Sequence, residues 1–403
     1  MKHCENLNFW IRRRAWAEID LDQAQQNFEA LRNRLTEGTK ICCTVKANAY
    51  GHGAVPMARL YESLGADYLA VSNIEEALQI REGGNQCPLM VLGYTPIRAA
   101  KILAEHHITQ AVFSYEYGIQ LADAAKEAGV QLKIHIKLDT GMGRIGFLFR
   151  KDGADELNKV IEICQRAELI PEGIFTHFAV ADDESEEGRV YTREQLNQFE
   201  TAIDRLSQAG ISFDIRHCAN SAASVSLCTK NCNMVRFGLV LYGLSPFSIQ
   251  KIEEIAPVMT LKTTISHCKE LEIGESVSYG RRFVAKKKMK VATVPIGYGD
   301  CFWRSNGLTG GMMCVGEQHA PILGTVCMDQ TMIDVTDVSC KVGDEVIVFG
   351  SDEQCSADAI AKRNGTISYE VVSALNHRVP RCFLKNGTIV EWCDSIYHSD
   401  LDM

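Results

Sequence analysis

Ile41-Cys42-Cys43-Thr44-Val45-Lys46-Ala47-Asn48-Ala49-Tyr50-Gly51-His52-Gly53 is the stretch on which the reading of this chain turns. Ile41, Cys42, Cys43 and Val45 run apolar without alternation, the pattern of a short buried strand. A lysine stands at the end of that strand, and an asparagine and two glycines then signal a turn. In a parallel barrel the loops that follow the strands form the functional face. A lysine held there among apolar atoms loses hydration, its pKa falls, and a nucleophilic amine is available near neutral pH. Most lysines are plain surface residues. Lys46 is set apart by its place at an apolar strand end, with a glycine-flanked tyrosine four residues on.

Outward from this stretch the chain alternates helix and strand. Leu21, Ala24, Phe28, Leu31 and Leu35 recur at helical spacing, so 20–36 is an amphipathic helix. Apolar runs predict strands at Ile41–Lys46, Tyr68–Ser72, Leu89–Leu92, Gln110–Phe113, Leu132–Leu138, Gly173–His177, Phe213–His217 and Asn233–Leu239. Helices are expected between them, at Met57–Leu64, Ile74–Gly83 and Arg193–Gly210 among others. Eight strands joined through helices read as an α/β fold, a (β/α)8 TIM barrel, because right-handed crossovers enforce parallel pairing. Past Phe247 the pattern becomes short strands with turns: Val258–Ser266, Lys290–Ile296, Pro321–Cys327, Thr331–Val335 and Glu345–Phe349, interrupted by a helix at Ala357–Arg363. The expected organisation is a barrel over 13–247 and a mostly β domain over 248–403, joined near Pro246, with residues 1–12 packing against the second domain.

Composition narrows the function. A 403-residue chain that is 46% hydrophobic buries a large core. A net charge of −9 and one short basic cluster, Arg12-Arg13-Arg14, argue against nucleic acid. Phe9-Trp10-Ile11 is too short for a secretory signal, and nothing approaches the roughly 18 apolar residues of a membrane span. The sixteen cysteines are scattered, often inside apolar strands, and form no Cys-x-x-Cys pair; Cys228 and Cys232 come nearest. Neither disulfides nor a metal site is expected, and a reducing, cytoplasmic setting follows.

Polar residues collect where the strands end. Lys46 ends the first, Lys137 and Asp139 the fifth, His177 the sixth; His217, Asn220 and Ser221 follow the seventh, and Arg236 sits in the eighth. A lone buried histidine is usually structural, but several charged groups converging on one mouth make a site. Barrels often bind phosphate in the loops after strands seven and eight, where Ser221 offers a hydroxyl and Gly238 a close backbone N–H. Arg236 reads equally as a structural ion pair or a site residue. Gly141-Met142-Gly143-Arg144-Ile145-Gly146 matches the dinucleotide fingerprint G-x-G-x-x-G, but it follows the fifth strand and lacks a well-placed acid.

Val45-Lys46-Ala47-Asn48-Ala49-Tyr50-Gly51-His52-Gly53 resembles the pyridoxal-phosphate signature of the bacterial alanine racemases. Leu138–Arg144, Asn220-Ser221, Val235–Gly238, Cys327–Gln330, Ser368–Val371 and Arg378–Arg381 agree in order, so the resemblance spans about Arg14 to Arg381. It implies a pyridoxal 5'-phosphate enzyme interconverting L- and D-alanine by a two-base mechanism. Lys46 would carry the cofactor and serve as one base; Tyr50, Ser221, Gly238, Leu239 and Tyr369 would hold its phosphate; Asn220 and His177 would complete the pocket. The resemblance gives Arg236 the pyridine nitrogen and Arg144 the substrate carboxylate, braced by a carbamylated Lys137. From its own context Tyr279 is a packing tyrosine beside a turn; the resemblance makes it the second base, its phenolate stabilised through His177. It also brings Tyr279, Met328 and Asp329 to the cofactor of another subunit, implying a homodimer with shared sites, and lets Tyr298 and Tyr369 narrow the entrance in favour of alanine. This chain departs from the family pattern at Arg282-Phe283 and at Gly299-Asp300-Cys301, where Ala-Asp-Gly is usual. Competing readings are a broader alanine/serine racemase, a barrel decarboxylase of the same cofactor class, a non-catalytic pyridoxal-phosphate carrier and a lysine Schiff-base aldolase.

Overall fold

A computed structural model describes residues 14–150, 153–226, 231–244 and 254–395. Its first sheet holds eight parallel strands in order around a nearly closed barrel: Lys40–Thr44, Tyr68–Val71, Leu89–Val91, Ile108–Val112, Leu132–Asp139, Leu169–Phe175, Ile215–His217 and Met234–Phe237, the last returning to pair with the first. All eight predicted strands are there. The seam between strands seven and eight is closed without a ladder: Asn233 donates its N–H to the Arg216 carbonyl (3.0 Å) and Arg236 to that of Ala219 (3.0 Å). The apolar runs follow from geometry, because barrel strands face side chains inward and helices outward and bury both faces. Tyr68–Val71 and Leu89–Val91 are buried at every position. Helix Glu186–Gln208 starts about two turns before the expected Arg193, since Ser185 caps it by accepting from Gly188 N and two glutamates occupy its first turn.

The second sheet corrects the expected boundary at residue 13. Strand Ala15–Asp20 leaves the barrel and lies inside the seven-stranded sheet of the β unit, antiparallel to Met259–Thr264 and parallel to Arg381–Lys385. Ala15, Trp16, Ala17 and Ile19 are buried there. The sheet runs Gln318–Pro321, Met312–Val315, Glu345–Phe349, Met259–Thr264, Ala15–Asp20, Arg381–Lys385, Thr388–Cys393. A three-stranded sheet (His267–Leu271, Met289–Val294, Thr331–Asp334) packs beside it. The predicted strand Pro321–Cys327 is displaced: the strand is Gln318–Pro321, and beyond a single bridge at Ile322 the chain turns at Gly324 (φ +70°) against the Val277 carbonyl. Helix Ala357–Asn364 is as expected, and a further helix, Ser368–Ser373, follows it. Residues 1–13 and the joint at Pro246 lie outside the described residues. Among the described residues no helix is long and apolar enough to cross a membrane.

Candidate active site

The strand ends open on a cavity of about 390 Å³. Lys46, Tyr50, Lys137, Arg144, His177, Asn220, Ser221, Arg236, Gly238, Leu239 and Tyr369 all line it. The sequence reading therefore places eleven residues from both units on one surface. A larger cavity, about 630 Å³, lies at the other end of the barrel, lined among others by Tyr68, Thr109 and Lys133, where strands begin. Barrel chemistry belongs to the opposite face.

Lys46 is delivered by an unusual backbone. Ala47, Asn48, Ala49 and Tyr50 all have φ between 52° and 54°, a left-handed turn built without glycine. Each such residue costs about 1–2 kcal/mol, so neighbours must hold it. Glu76 accepts from Ala47 N (2.7 Å), and the Asn48 side chain accepts from Ala54 N (2.8 Å). Gly51 (φ +83°) lies so close to the β unit that a Cβ would sit 2.1 Å from the Val372 carbonyl oxygen. The strained turn puts Lys46 and Tyr50 on the same cavity. Burial, followed by the Arg144 guanidinium, lowers the Lys46 pKa from its ordinary value.

Arg236 is buried, and its four hydrogen-bond acceptors are His217 Nδ1 (2.9 Å), His177 Nδ1 (3.1 Å) and the carbonyls of Thr176 (3.0 Å) and Cys218 (3.3 Å). None of these is a carboxylate, which disposes of the ion-pair reading. A guanidinium only donates, so both imidazoles accept from it at Nδ1 and carry their proton on Nε2. His217 Nε2 then donates to His135 Nδ1 (2.9 Å), and His135 Nε2 to Glu172 (3.4 Å). Glu172 also takes Lys133 (2.6 Å) and the Tyr68 hydroxyl. Burial opposes its ionisation, but His135, Lys133 and Tyr68 prevail and hold its carboxyl at about 2. The buried cation is thus wired down the barrel core to a carboxylate at the far end. Burial and then Arg236 push both His177 and His217 well below the ordinary imidazole range.

Lys137 Nζ is buried with no hydrogen-bond partner among the described residues, 5.0 Å from the centre of the Phe175 ring. Burial, with Arg236 and Arg144 adding to it, drives its pKa well below the usual lysine range. The glycine-rich loop that follows is a support. Asp139 accepts from Gly141 N (2.9 Å) and Gly143 N (3.0 Å), and a Cβ on Gly146 would lie 2.7 Å from Asp139 N. Burial raises the Asp139 carboxyl, and the N–H groups of Gly143 and Gly141 overcome it and bring it below its ordinary value.

At the seam, the Ser221 hydroxyl accepts from Gly238 N (3.0 Å), and a Cβ on Gly238 would sit 2.9 Å from the Tyr50 hydroxyl. The Tyr50 ring stands edge-on to Tyr369, 6.0 Å between centres. Two hydroxyls and a backbone N–H thus meet in a hollow that admits no side chain at residue 238. Around the whole cavity the described lining offers four basic side chains and one carboxylate, Asp182. Such a surface is built for anions.

Tyr279, Met328 and Asp329 are not in this cavity. Tyr279 is 65% exposed and Met328 52% exposed on the β unit, and Asp329 accepts from Arg378 (2.7 Å). The turn carrying Tyr279 is strained, with positive φ at Ser278 (63°), Gly280 (71°) and Arg281 (47°). Ser278 braces it by donating to the Thr325 carbonyl, and Thr325 donates to the Tyr279 carbonyl (3.3 Å).

Comparison with known proteins places these features. Residues 19–246 match the family model described as alanine racemase, N-terminal domain, and 258–383 that of the alanine racemase C-terminal domain. The chain belongs to the alanine racemase family. It is 42% identical to alanine racemase 1 of Clostridium acetobutylicum over 94% of this chain and 97% of that protein. Among solved structures, alanine racemase of Clostridium difficile superposes with a TM-score of 0.88 at 38% identity, covering 95% of this chain and 99% of that one. The Bacillus anthracis alanine racemase with bound L-Ala-P gives 0.86 at 34% identity, covering 95% and 98%. Both halves of the racemase family are therefore present, and Tyr279, Met328 and Asp329 fall in the second. The sequence reading missed Phe175, whose ring lies under Lys137 and Arg236 and stacks on His217 (4.7 Å between centres). It also missed Asp182 and the His135–Glu172 relay. Phe175 was legible in principle, two residues before His177 at the end of a strand; Glu172 begins in the same strand at the wrong end of the barrel.

Proposed function

We propose that this enzyme racemises alanine with pyridoxal 5'-phosphate bound in the barrel mouth, moving one proton between Lys46 and Tyr279 of the partner subunit. The observation that carries the reading is the cavity itself: a lysine of lowered pKa, three further basic groups and a hydroxyl-lined hollow in one place. The hollow fits a phosphate. Gly238 leaves space that a Cβ would fill, and Tyr50, Ser221 and the backbone N–H at residue 238 are hydrogen-bonding groups suited to phosphate oxygens. Leu239 and Tyr369 would close that hollow, and Asn220 and His177 flank the ring site.

When bound, pyridoxal phosphate supplies an electron-withdrawing ring that acidifies the Cα–H of an amino acid. Arg236, a donor only, would hold the ring nitrogen without giving it up to protonation, which would moderate the withdrawal. The Lys46 amine, partly stripped of water, takes or returns the proton at one face of Cα. A single base returns the proton to the face it came from, so a second group is required. Tyr279 of the partner subunit is suited to that role: its phenol stands on a braced, strained turn and faces outward. A homodimer in which each β unit covers the other barrel mouth would bring the Met328 backbone to the substrate and let Asp329 brace the site. Arg144 is suited to the substrate carboxylate. The Lys137 amine, its pKa lowered by burial, would in its unprotonated form add carbon dioxide and lose a proton, giving a carbamate anion beside Arg144; ¹³C-bicarbonate should produce a carbamate resonance that Lys137→Arg lacks.

The deciding experiment is release of the α-proton of L-alanine into solvent. Tyr279→Phe should slow it by about 10³-fold while the visible absorbance of bound cofactor persists. Exchange at the wild-type rate would overturn the two-base assignment. Assaying L-serine beside L-alanine tests whether the entrance near Tyr369 selects the methyl side chain.

A further inference from the structure

We propose that the β unit holds a structural zinc ion between Cys314, His319, Asp352 and Cys355, at the edge of the seven-stranded sheet and outside the lining of the barrel mouth. Their ligand atoms already lie within 4.8 Å of one another. Around Zn²⁺, with bonds of about 2.0–2.3 Å, tetrahedral ligands sit roughly 3.3–3.8 Å apart. Closing the site therefore needs about 1 Å of contraction and no change of fold.

The scaffold presents the four groups in two pairs. Cys314 and His319 are direct cross-strand partners in the hairpin of Met312–Val315 and Gln318–Pro321. Cys355 and Asp352 come from the loop after strand Glu345–Phe349, which adjoins that hairpin. The loop is already folded as a ligand loop would be. Asp352 Oδ1 accepts from Gln354 N and Cys355 N (2.9 Å each), and Gly350 N donates to the Cys355 carbonyl (2.8 Å). Both Asp352 oxygens lie 3.0 Å from His319 Nε2. The thiols are buried, while imidazole and carboxylate sit at the solvent edge, 33% and 39% exposed. Arg363 reaches back over the loop, donating from one nitrogen to the Gln354 carbonyl (3.0 Å), and its other two nitrogens are buried with no hydrogen-bond partner among the described residues. A centre carrying two thiolates and a carboxylate would give that guanidinium the negative charge it lacks.

The donor set selects the metal. Two sulfurs with imidazole and carboxylate suit Zn²⁺; oxygen-seeking Mg²⁺ and Ca²⁺ have too few oxygens here. Four protein ligands make a closed, structural site. On binding, the two thiols release their protons to solvent, and His319 coordinates through Nε2 with its remaining proton on Nδ1. The ion would tie the hairpin to the loop ahead of helices Ala357–Asn364 and Ser368–Ser373, the second of which carries Tyr369. None of the four lines the cavity. The site is absent from any local motif, because the two pairs stand far apart in the chain.

The test uses the full chain purified anaerobically with a phosphine reductant. Elemental analysis should find about one zinc per chain. After chelation, titration with Co²⁺ should give intense tetrahedral d–d bands and a thiolate charge-transfer band, and melting temperature should recover on adding Zn²⁺. The Cys314→Ser, Cys355→Ser double variant should lose metal and spectrum together. Should that variant fail to fold, His319→Ala, altered at the surface, should weaken Co²⁺ binding at least about 100-fold. Wild-type protein without zinc and without a cobalt spectrum overturns the proposal. Metal held equally by wild type and His319→Ala overturns it too, as does a Cys314–Cys355 disulfide that persists under reductant.

Discussion

The barrel mouth and the turn at Ser278–Arg281 both carry strained backbone, and they use it under opposite conditions. At the mouth the left-handed run Ala47–Tyr50 is packed beneath the β unit, and Lys46 is set among other cations with little water. At the turn, Ser278, Gly280 and Arg281 take positive φ on the surface, and the Tyr279 phenol stands largely in solvent. Strain in the first place is over-determined by contacts within one chain. In the second it is held by local hydrogen bonds, among them those from Ser278 to the Thr325 carbonyl, from Thr325 to the Tyr279 carbonyl and from Arg281 Nε to Ser276. Backbone strain of this kind persists where something depends on the geometry. The lysine, the arginines and the hydroxyl-lined hollow of the mouth all come from one chain, whereas Tyr279 stands outside that cavity on an exposed turn.

The largest expected effect tests that difference directly. Lys46→Ala and Tyr279→Phe homodimers should each be inactive. Unfolded together and refolded as a mixture, they should regain about a quarter of wild-type activity, because half the dimers are mixed and each holds one intact site. No recovery would mean that Tyr279 serves its own chain or none. Next, Gly238→Ala should raise the cofactor Kd by about 10–100-fold, the loss of one hydrogen bond to a charged group, since the added methyl meets the Tyr50 hydroxyl. An unchanged Kd, by fluorescence titration, would remove the phosphate from this hollow.

Glu172→Gln probes the far end of the mouth's wiring and should cost about 2 kcal/mol at neutral pH by urea denaturation. Its folded pKa of about 2 lies below its unfolded value, so its contribution is present above the ordinary carboxylate range and is lost as pH falls towards 2. The variant should accordingly lose part of the wild type's fall in stability on acidification. The smallest effect belongs to the β unit's own strain. Cys301 holds φ 73° where the family pattern has glycine, so Cys301→Gly should add about 1 kcal/mol, or about 2 °C in Tm by calorimetry.

What could be read in advance follows from the range of the interactions. The barrel strands were legible because burial on both faces writes a continuous apolar run. Lys46 was legible because a charge at the end of such a run is costly without a use. The left-handed turn was not, since Ala47 and Ala49 have no preference for that conformation and are held there by Glu76 and by the helix Ser368–Ser373. Strand Ala15–Asp20 reads locally as a prelude to the first helix, and its partners stand more than two hundred residues away. The cluster of Cys314 with Cys355 left no local trace for a similar reason: the two become neighbours only when two strands and a loop have assembled. Met312–Val315 and Arg381–Lys385 each form a hairpin with the strand that follows, and they escaped notice because elements of four or five residues carry little periodic signal.

Because Ala15–Asp20 is an interior strand of the β unit, the described residues join the two units at two places: at Asp20–Leu21 and between Leu244 and Met259. A single crossing permits rotation about one link, whereas two anchor points leave the units far less freedom to swivel. Synthesis adds a further constraint. Ala15–Asp20 precedes the barrel strands in the chain yet finds its neighbours only after them, so a barrel released without residues beyond the eighth strand would carry an unpaired apolar segment and be prone to self-association.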